Sequence, residues 1–284
     1  MAELRKKLQG NLPGEFYVDS SCIDCDLCRQ IAPQVFQEDG DSSVVRRQPS
    51  TPAEFLRAEM ALVTCPTGSI GTLEKRDLKA ALAAFHERID ENVHFCGFAS
   101  EASFGASSYL LVRPGGNVLV DSPRFTAPLV RRLESLGGVR WMFLTHQDDV
   151  ADHRKFRDHF GCDRIMHEDD AGFEVERRIE GVEPVRLDDD LRIIPTPGHT
   201  AGHQALLHRD KFLFTGDHLW WDPEAGRLHA SRRYCWHSWS EQRRSMQRLL
   251  DSSFEWILPG HGARHQAPAA VMRRELEDLI ARMT

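Results

Sequence analysis

The sequence predicts an α+β chain built in two parts, and three observations predict it. Short apolar strands end repeatedly in loops that carry His or Asp, as at 143–146, 193–199, 212–217 and 257–261. Near the start, Cys22, Cys25 and Cys28 stand in a C-x2-C-x2-C run, and a fourth thiol, Cys65, follows far downstream before Pro66. Between these features Leu73, Leu78, Leu82, Phe85 and Ile89 recur at near-helical spacing among charged residues. The expected organisation is therefore a first domain at 1–72, a linker helix within 73–92, and a larger domain at 93–284.

A chain of 284 residues suggests one to two domains and can bury at least one good core. The formal net charge of −7 argues against a nucleic-acid surface. The opening MAELRKKLQG is polar and has no apolar signal-peptide core, and no apolar run approaches the ~18 residues that span a bilayer. Seven cysteines, four of them in a ligand-like pattern, fit a reducing cytoplasmic compartment better than a disulfide framework.

In the first domain, Glu15 to Asp19 reads as a short strand leading into the thiols. Three crowded thiolates can wrap one face of a cluster, whereas a zinc site normally uses two separated knuckles, so iron–sulfur is favoured over zinc. The stretch VDSSCIDCDLCRQIAPQVFQEDGDSSVV…CPTGSI resembles the single-cluster bacterial ferredoxins over nearly the whole domain. That resemblance implies one [4Fe–4S] cluster held by Cys22, Cys25, Cys28 and Cys65. The long gap before Cys65 departs from the two-cluster type, whose fourth Cys serves the other cluster. Asp24 and Asp26 stand beside the thiols, and their charge is expected to disfavour the reduced state.

The linker, Leu73 to Asp90, is expected to be one helix whose apolar stripe packs the first domain against the second. Beyond it, residues 108–112 and 118–120 flank Pro114-Gly115-Gly116 as a hairpin. Residues 127–136 are helical in pattern, and Trp141 to Leu144 is a buried strand. Phe156 and Phe160 sit on a helix ended by Gly161. Ala205 to Leu207 pairs with Phe212 to Phe214 across a four-residue turn. Ser238-x-x-Glu241 is a capping box that opens another helix, residues 254–258 form the last core strand, and 271–283 a terminal helix.

His and Asp delivered on loops just past buried strands can hold a metal rigidly and leave one side open. Asp121 in VDS, His146 to His153 in THQDDVADH, His199 in PGHTAGH, Asp217 in TGD and His261 in PGHG appear in the order of the metallo-β-lactamase superfamily, which residues 93–265 resemble. That resemblance implies two packed sheets covered by helices, an αββα sandwich, and one or two Zn or Fe ions. The superfamily's usual H-x-H-x-D-H is altered here: Asp148 replaces the second His, and two extra residues precede Asp152-His153. Without a gap, Val150 and Ala151 would occupy ligand positions and could not bind. With a bulge, His146, Asp148 and His199 would hold one metal and Asp152, His153 and His261 the other, with Asp217 bridging. Asp152 capping the following helix is the bland alternative, and Asp149 could replace Asp148. A carboxylate in place of an imidazole makes the first site harder and shifts it towards iron, as in the superfamily's diiron flavoproteins.

Asp121 is expected to steady the metal loops through hydrogen bonds, and His203 and His218 to be outer-shell or surface residues. Trp220, Trp221, Tyr234, Trp236 and Trp239 could wall a pocket, with Arg232 and Arg233 near an anionic group. Cys96 and Cys162 read as core, and Cys235 lacks a visible base.

Three functions follow. The first is hydrolysis of an ester or thioester by metal-activated water, with Asp217 and Asp148 at the catalytic centre. The second is oxidation–reduction, with the cluster passing electrons between an electron-transfer partner and non-haem iron. The third is a redox-sensing binding protein. In the first two the partner is a small-molecule substrate, with no nucleic acid and no membrane. Hydrolysis has the superfamily's precedent, and the fused cluster speaks for redox.

Overall fold

A computed structural model describes residues 2–284. The chain divides into two compact units, Met1–Val139 with Ala151–Phe160, and Arg140–Val150 with Gly161–Thr284.

The first unit begins with β1 (Phe16–Val18) and the short helix α1 (Leu27–Ile31). The hairpin β2 (Phe36–Glu38) and β3 (Ser43–Val45), the helix α2 (Pro52–Thr64) and β4 (Ile70–Thr72) follow. β1 and β4 pair antiparallel with Phe16 opposite Thr72 and Val18 opposite Ile70. Asn11 sits beneath β1: its amide nitrogen donates to the Val18 carbonyl at 2.8 Å while its oxygen accepts the Val18 and Val45 N–H groups. α2 starts with a full capping box, Thr51 accepting from the Glu54 N–H and Glu54 reaching back.

The expected helix over 73–90 is mostly absent. Only α3 (Lys79–Ala84) is helical, and residues Glu87–Asp90 form β5, paired antiparallel with β6 (Val93–Phe95). Two gains outweigh helical spacing here. Phe85 is buried against Phe95 and Phe98 at 6.1 and 5.5 Å between ring centres, and Glu91, in the left-handed conformation, turns the chain back into a hairpin. β7 (Tyr109–Leu111) and β8 (Val118–Val120) extend the antiparallel run from β6, forming the hairpin anticipated from the Pro-Gly-Gly turn. Helices α4 (Ala127–Ser135) and α5 (His153–Phe160) complete this unit.

In the second unit β9 (Trp141–Phe143), β10 (Asp163–His167) and β11 (Arg177–Ile179) run parallel. A separate mixed sheet has the order β12 (Val185–Arg186), β13 (Leu191–Pro195), β14 (Gln204–His208), β15 (Phe212–Gly216), then β18 and β19. Here β16 (Trp220–Asp222) and β17 (Arg227–His229) are a hairpin, while β18 is Trp256–Pro259 and β19 His265–Gln266. The β14–β15 hairpin has the expected register, Leu206 opposite Phe214. Helix α6 (Trp239–Leu249) starts at Ser238, whose hydroxyl accepts the Glu241 N–H, and α7 (Ala269–Arg282) ends the chain. Alternate residues of β14 and β15, Ala205, Leu207 and Leu213, bury with Met246, Leu249, Met272 and Leu276 of the two helices in one core. That packing leaves the strand ends, rather than their faces, to carry chemistry. Among the described residues no helix is long and apolar enough to cross a membrane.

Candidate cluster site and metal centre

The cluster thiols are gathered by backbone that few residues tolerate. Asp24 and Asp26 both adopt the left-handed conformation, φ 56° and 67°, and so fold Cys22, Cys25 and Cys28 around one cavity. Cys65 reaches the same cavity as the residue that ends α2. The Ser43 N–H points at Cys22 Sγ at 3.4 Å and the Ser69 N–H at Cys65 Sγ at 3.3 Å. Burial pushes the Cys25 thiol up to about 12 and raises Cys28 as well. Thiols crowded into such a cavity ionise readily only against a cationic core, so the donor set fits an iron–sulfur cluster.

The acidic charge expected beside the cluster is offset. Arg29 donates to Asp24 Oδ1 at 2.6 Å, to Asp26 Oδ1 at 2.7 Å and to the Ser43 hydroxyl at 2.8 Å. Its guanidinium also braces the loop that carries the cysteines. Gly105 was not anticipated: a Cβ there would stand 2.5 Å from Cys25 Cβ and 2.9 Å from its sulfur. Distance in sequence hid it.

The candidate metal centre lies in the second unit, where four strand ends converge. β9 leads to His146, β13 to His199, β15 to Asp217 and β18 to His261. His146 Nε2 is 3.7 Å from Asp217 Oδ2 and 3.9 Å from Asp148 Oδ2. His199 Nε2 is 3.8 Å from Asp217 Oδ2 and 3.7 Å from Asp148 Oδ2. Donors about 2.1 Å from a shared ion lie at most about 4.2 Å apart, so each of these pairs can meet one metal. Both Nε2 atoms are buried and have no hydrogen-bond partner. Thr145 Oγ1 lies 2.9 Å from His146 Nδ1, where a proton on that nitrogen leaves Nε2 with its lone pair facing the carboxylates.

Electrostatics agree with this donor arrangement. Burial lowers His146 to about 4, against the pull of Asp217 in the other direction. The neighbouring His199 imidazole holds Asp148 below the usual carboxylate range. Burial alone would raise Asp217, but the neighbouring His261 overrides it and the carboxyl is strongly lowered. His261 Nδ1 is 2.9 Å from both Asp217 oxygens. Neutral imidazoles beside ionised carboxylates are the forms that bind a divalent ion.

Asp149 joins His146 and Asp217 in a second, overlapping donor group. The two groups share His146. Neither group contains Asp152, His153 or His261. Asp152 Oδ2 accepts the Phe125 N–H at 2.7 Å and Oδ1 pairs with Lys155 at 2.8 Å, while its carbonyl accepts the Lys155 N–H at the start of α5. His153 is the buried first residue of that helix. The Asp152 carboxylate is thus engaged by Phe125 and Lys155. Asp121 directly follows β8, buried and in the left-handed conformation.

His203 and His218 are buried rather than on the surface. His203 Nδ1 is 2.8 Å from Thr196 Oγ1, and its ring stacks on His218 at 5.1 Å. Of the aromatic cluster, Trp236 and Tyr234 are exposed, while Trp220 packs so closely on Gly262 that a Cβ there would sit 2.4 Å from its ring. The Trp236 N–H donates to the His199 carbonyl at 2.8 Å, which places this segment beside a metal donor. Arg232 and Arg233 are exposed. Burial raises the Cys235 thiol, which donates to the Gly198 carbonyl, so nothing activates it as a nucleophile. Cys96 and Cys162 are core residues as expected.

Residues 18–72 match the family model described as the 4Fe-4S single cluster domain of ferredoxin I. No curated protein matches the chain in sequence. Among solved structures, DIM-1 metallo-β-lactamase exposed to ceftazidime is similar over 70% of this chain and 96% of its own, with 19% identity and a TM-score of 0.54. TMB-1 is similar over 69% of this chain and 95% of its own, with 14% identity and a TM-score of 0.53. VMB-1 covers the same shares, with 16% identity and a TM-score of 0.51. The chain therefore carries a single-cluster [4Fe–4S] ferredoxin-type domain at residues 18–72 and, over most of its length, the metallo-β-lactamase fold.

Proposed function

We propose that the protein is an iron-dependent oxidoreductase acting on a small molecule, with one iron held by His146, His199, Asp148 and Asp217 and with the cluster of residues 18–72 exchanging electrons with a partner. The observation that carries this reading is the donor set: two imidazole nitrogens and two carboxylate oxygens at 3.7 to 3.9 Å across the pairs. A site of two His plus carboxylate with open positions suits non-haem iron. Two carboxylates also cancel the charge of a divalent ion, which favours hard metals and weakens the acidification of bound water that hydrolysis needs. Iron bound there would supply one-electron chemistry at the substrate. Thr145 orients His146, and His261 holds Asp217 by contacting both of its oxygens. Exposed Trp236, tied through its backbone to His199, offers a flat apolar surface to an organic substrate.

Hydrolysis of an ester or thioester, with Asp217 and Asp148 at the centre, is the second reading. The resemblance to β-lactamases supports it through the fold alone. Metal content separates the two. Full-length protein purified anaerobically is expected to hold about five irons per chain, four of them in the cluster. About four irons with one zinc, together with ester cleavage that is equal for oxidised and reduced cluster, would refute the redox reading and establish the other.

A further inference from the structure

The two loops that bring His146 with Asp148 and His199 to the metal centre are joined by a third element. The turn after β10 delivers Asp170, whose side chain is buried at 3% exposure. Its Oδ2 accepts the Thr200 hydroxyl at 2.5 Å and the Gln147 N–H at 3.2 Å. Its Oδ1 accepts the Gly202 N–H at 2.7 Å. Gln147 lies between His146 and Asp148, and Thr200 follows His199 directly. Gly202 is flush against the turn: a Cβ there would stand 2.6 Å from the Asp170 nitrogen and 2.9 Å from Asp170 Cβ.

We propose that Asp170 is the positioning residue of the metal centre, a carboxylate that sets the distance between the His146–Asp148 loop and the His199 loop by hydrogen-bonding to both. This rests on the single-ion reading above. A metal site tolerates misplacement of its donors by only about 0.5 Å, and the strands behind these loops do not by themselves fix two loop tips relative to one another. The β13–β14 pairing holds the base of the His199 loop, with Pro195 opposite Gln204, and the Gln204 N–H reaches the Thr145 carbonyl at 2.9 Å. Beyond those points Asp170 supplies hydrogen bonds to both tips. Three neutral donors converge on one buried carboxylate, so loss of the carboxylate strands donors on both loops and lets each loop relax separately.

The test is equilibrium zinc binding to the full-length chain with its cluster intact and the metal centre stripped. Zinc is the probe because cluster iron then reports integrity independently. Asp170→Ala is expected to weaken zinc binding by about 10- to 100-fold, the usual range for removing an outer partner of a metal ligand. Asp170→Asn, which keeps one accepting oxygen, should fall between. Thr200→Val removes only the hydroxyl donor and should weaken binding less than Asp170→Ala, whereas Thr200→Ser should match the unaltered protein. Leu207→Ala, a core change in β14, measures what general loosening alone does. Unchanged zinc affinity in Asp170→Ala would overturn the proposal. So would a loss that Leu207→Ala reproduces at an equal drop in melting temperature. If Asp170→Ala does not fold, equal affinities for Thr200→Val and Thr200→Ser would refute it instead. An unaltered protein that takes up no zinc would sink the single-ion reading itself, a result distinguishable from either.

Discussion

Replacing Gly105 by alanine probes how the chain covers its cluster. Gly105 has φ +85°, a conformation that costs an L-residue about 1 kcal/mol or more. The added methyl would also lie 2.5 Å from Cys25 Cβ, 2.9 Å from Cys25 Sγ and 3.2 Å from Pro66 Cγ. Ordinary carbon contacts are about 3.5 to 4.0 Å, so something must move by roughly 1 Å. The loop cannot swing away freely, because the Gly105 N–H donates to the Ser100 carbonyl at 2.9 Å and the Ala106 N–H to the Ser103 carbonyl at 2.8 Å. Overpacking of this kind costs about 1 to 3 kcal/mol, which brings the sum to about 2 to 4 kcal/mol. For a chain of this size that corresponds to a fall in melting temperature of roughly 5 to 10 °C. Because Cys25 is the residue displaced, cluster loss should accelerate alongside. Gly40→Ala is the control, since Gly40 has φ +62° with nothing within 4 Å and bears only the conformational cost. The assay follows melting and the decay of cluster absorption in air for both variants. Equal behaviour of Gly105→Ala and Gly40→Ala would show that no close contact exists at Cys25.

Other consequences are direct. Arg29→Gln removes the cation that offsets Asp24 and Asp26, so the cluster should become harder to reduce by on the order of tens of millivolts, read by voltammetry; an unchanged or raised potential would contradict the pairing. His86 is buried with its Nδ1 3.0 Å from that of His94, and burial lowers it to about 4. A group whose folded value lies below its unfolded value of about 6.5 takes up its proton first in the unfolded chain. Stability from this site is therefore complete above pH ~6.5 and declines as pH falls towards ~4, and His86→Gln should flatten that part of the melting-temperature profile. At Gly198 a Cβ would stand 2.3 Å from the Gln242 Cα, a backbone atom, so Gly198→Ala should displace the His199 loop and lower bound metal well below one equivalent at preserved cluster iron.

Local patterns carried a large share of this molecule. The β14–β15 hairpin, the Ser238 helix cap and the strand ends preceding His146, His199, Asp217 and His261 were legible because each depends on neighbours a few residues away. The three-cysteine run was legible for the same reason. Residues 73–90 misled because helical spacing is a weak preference: burial of Phe85 and a hairpin through Glu91 overrode it.

What the sequence by itself determined is chemical: which thiols, imidazoles and carboxylates the chain owns, and that they sit at strand ends and in one tight turn. Their spacing along the chain is enough for that, since ligand type and local rigidity are short-range properties. Only the tertiary structure decided how they are grouped. It engaged Asp152 with Phe125 and Lys155, set Asp148 between His146 and His199, and offset Asp24 and Asp26 with Arg29. It also brought Asp170 onto two loops and Gly105 onto Cys25 across 32 and 80 residues, respectively, counted from Gly202 and from Cys25. Contacts over such separations depend on packing of whole sheets and helices, and no periodicity or motif in the chain encodes them singly.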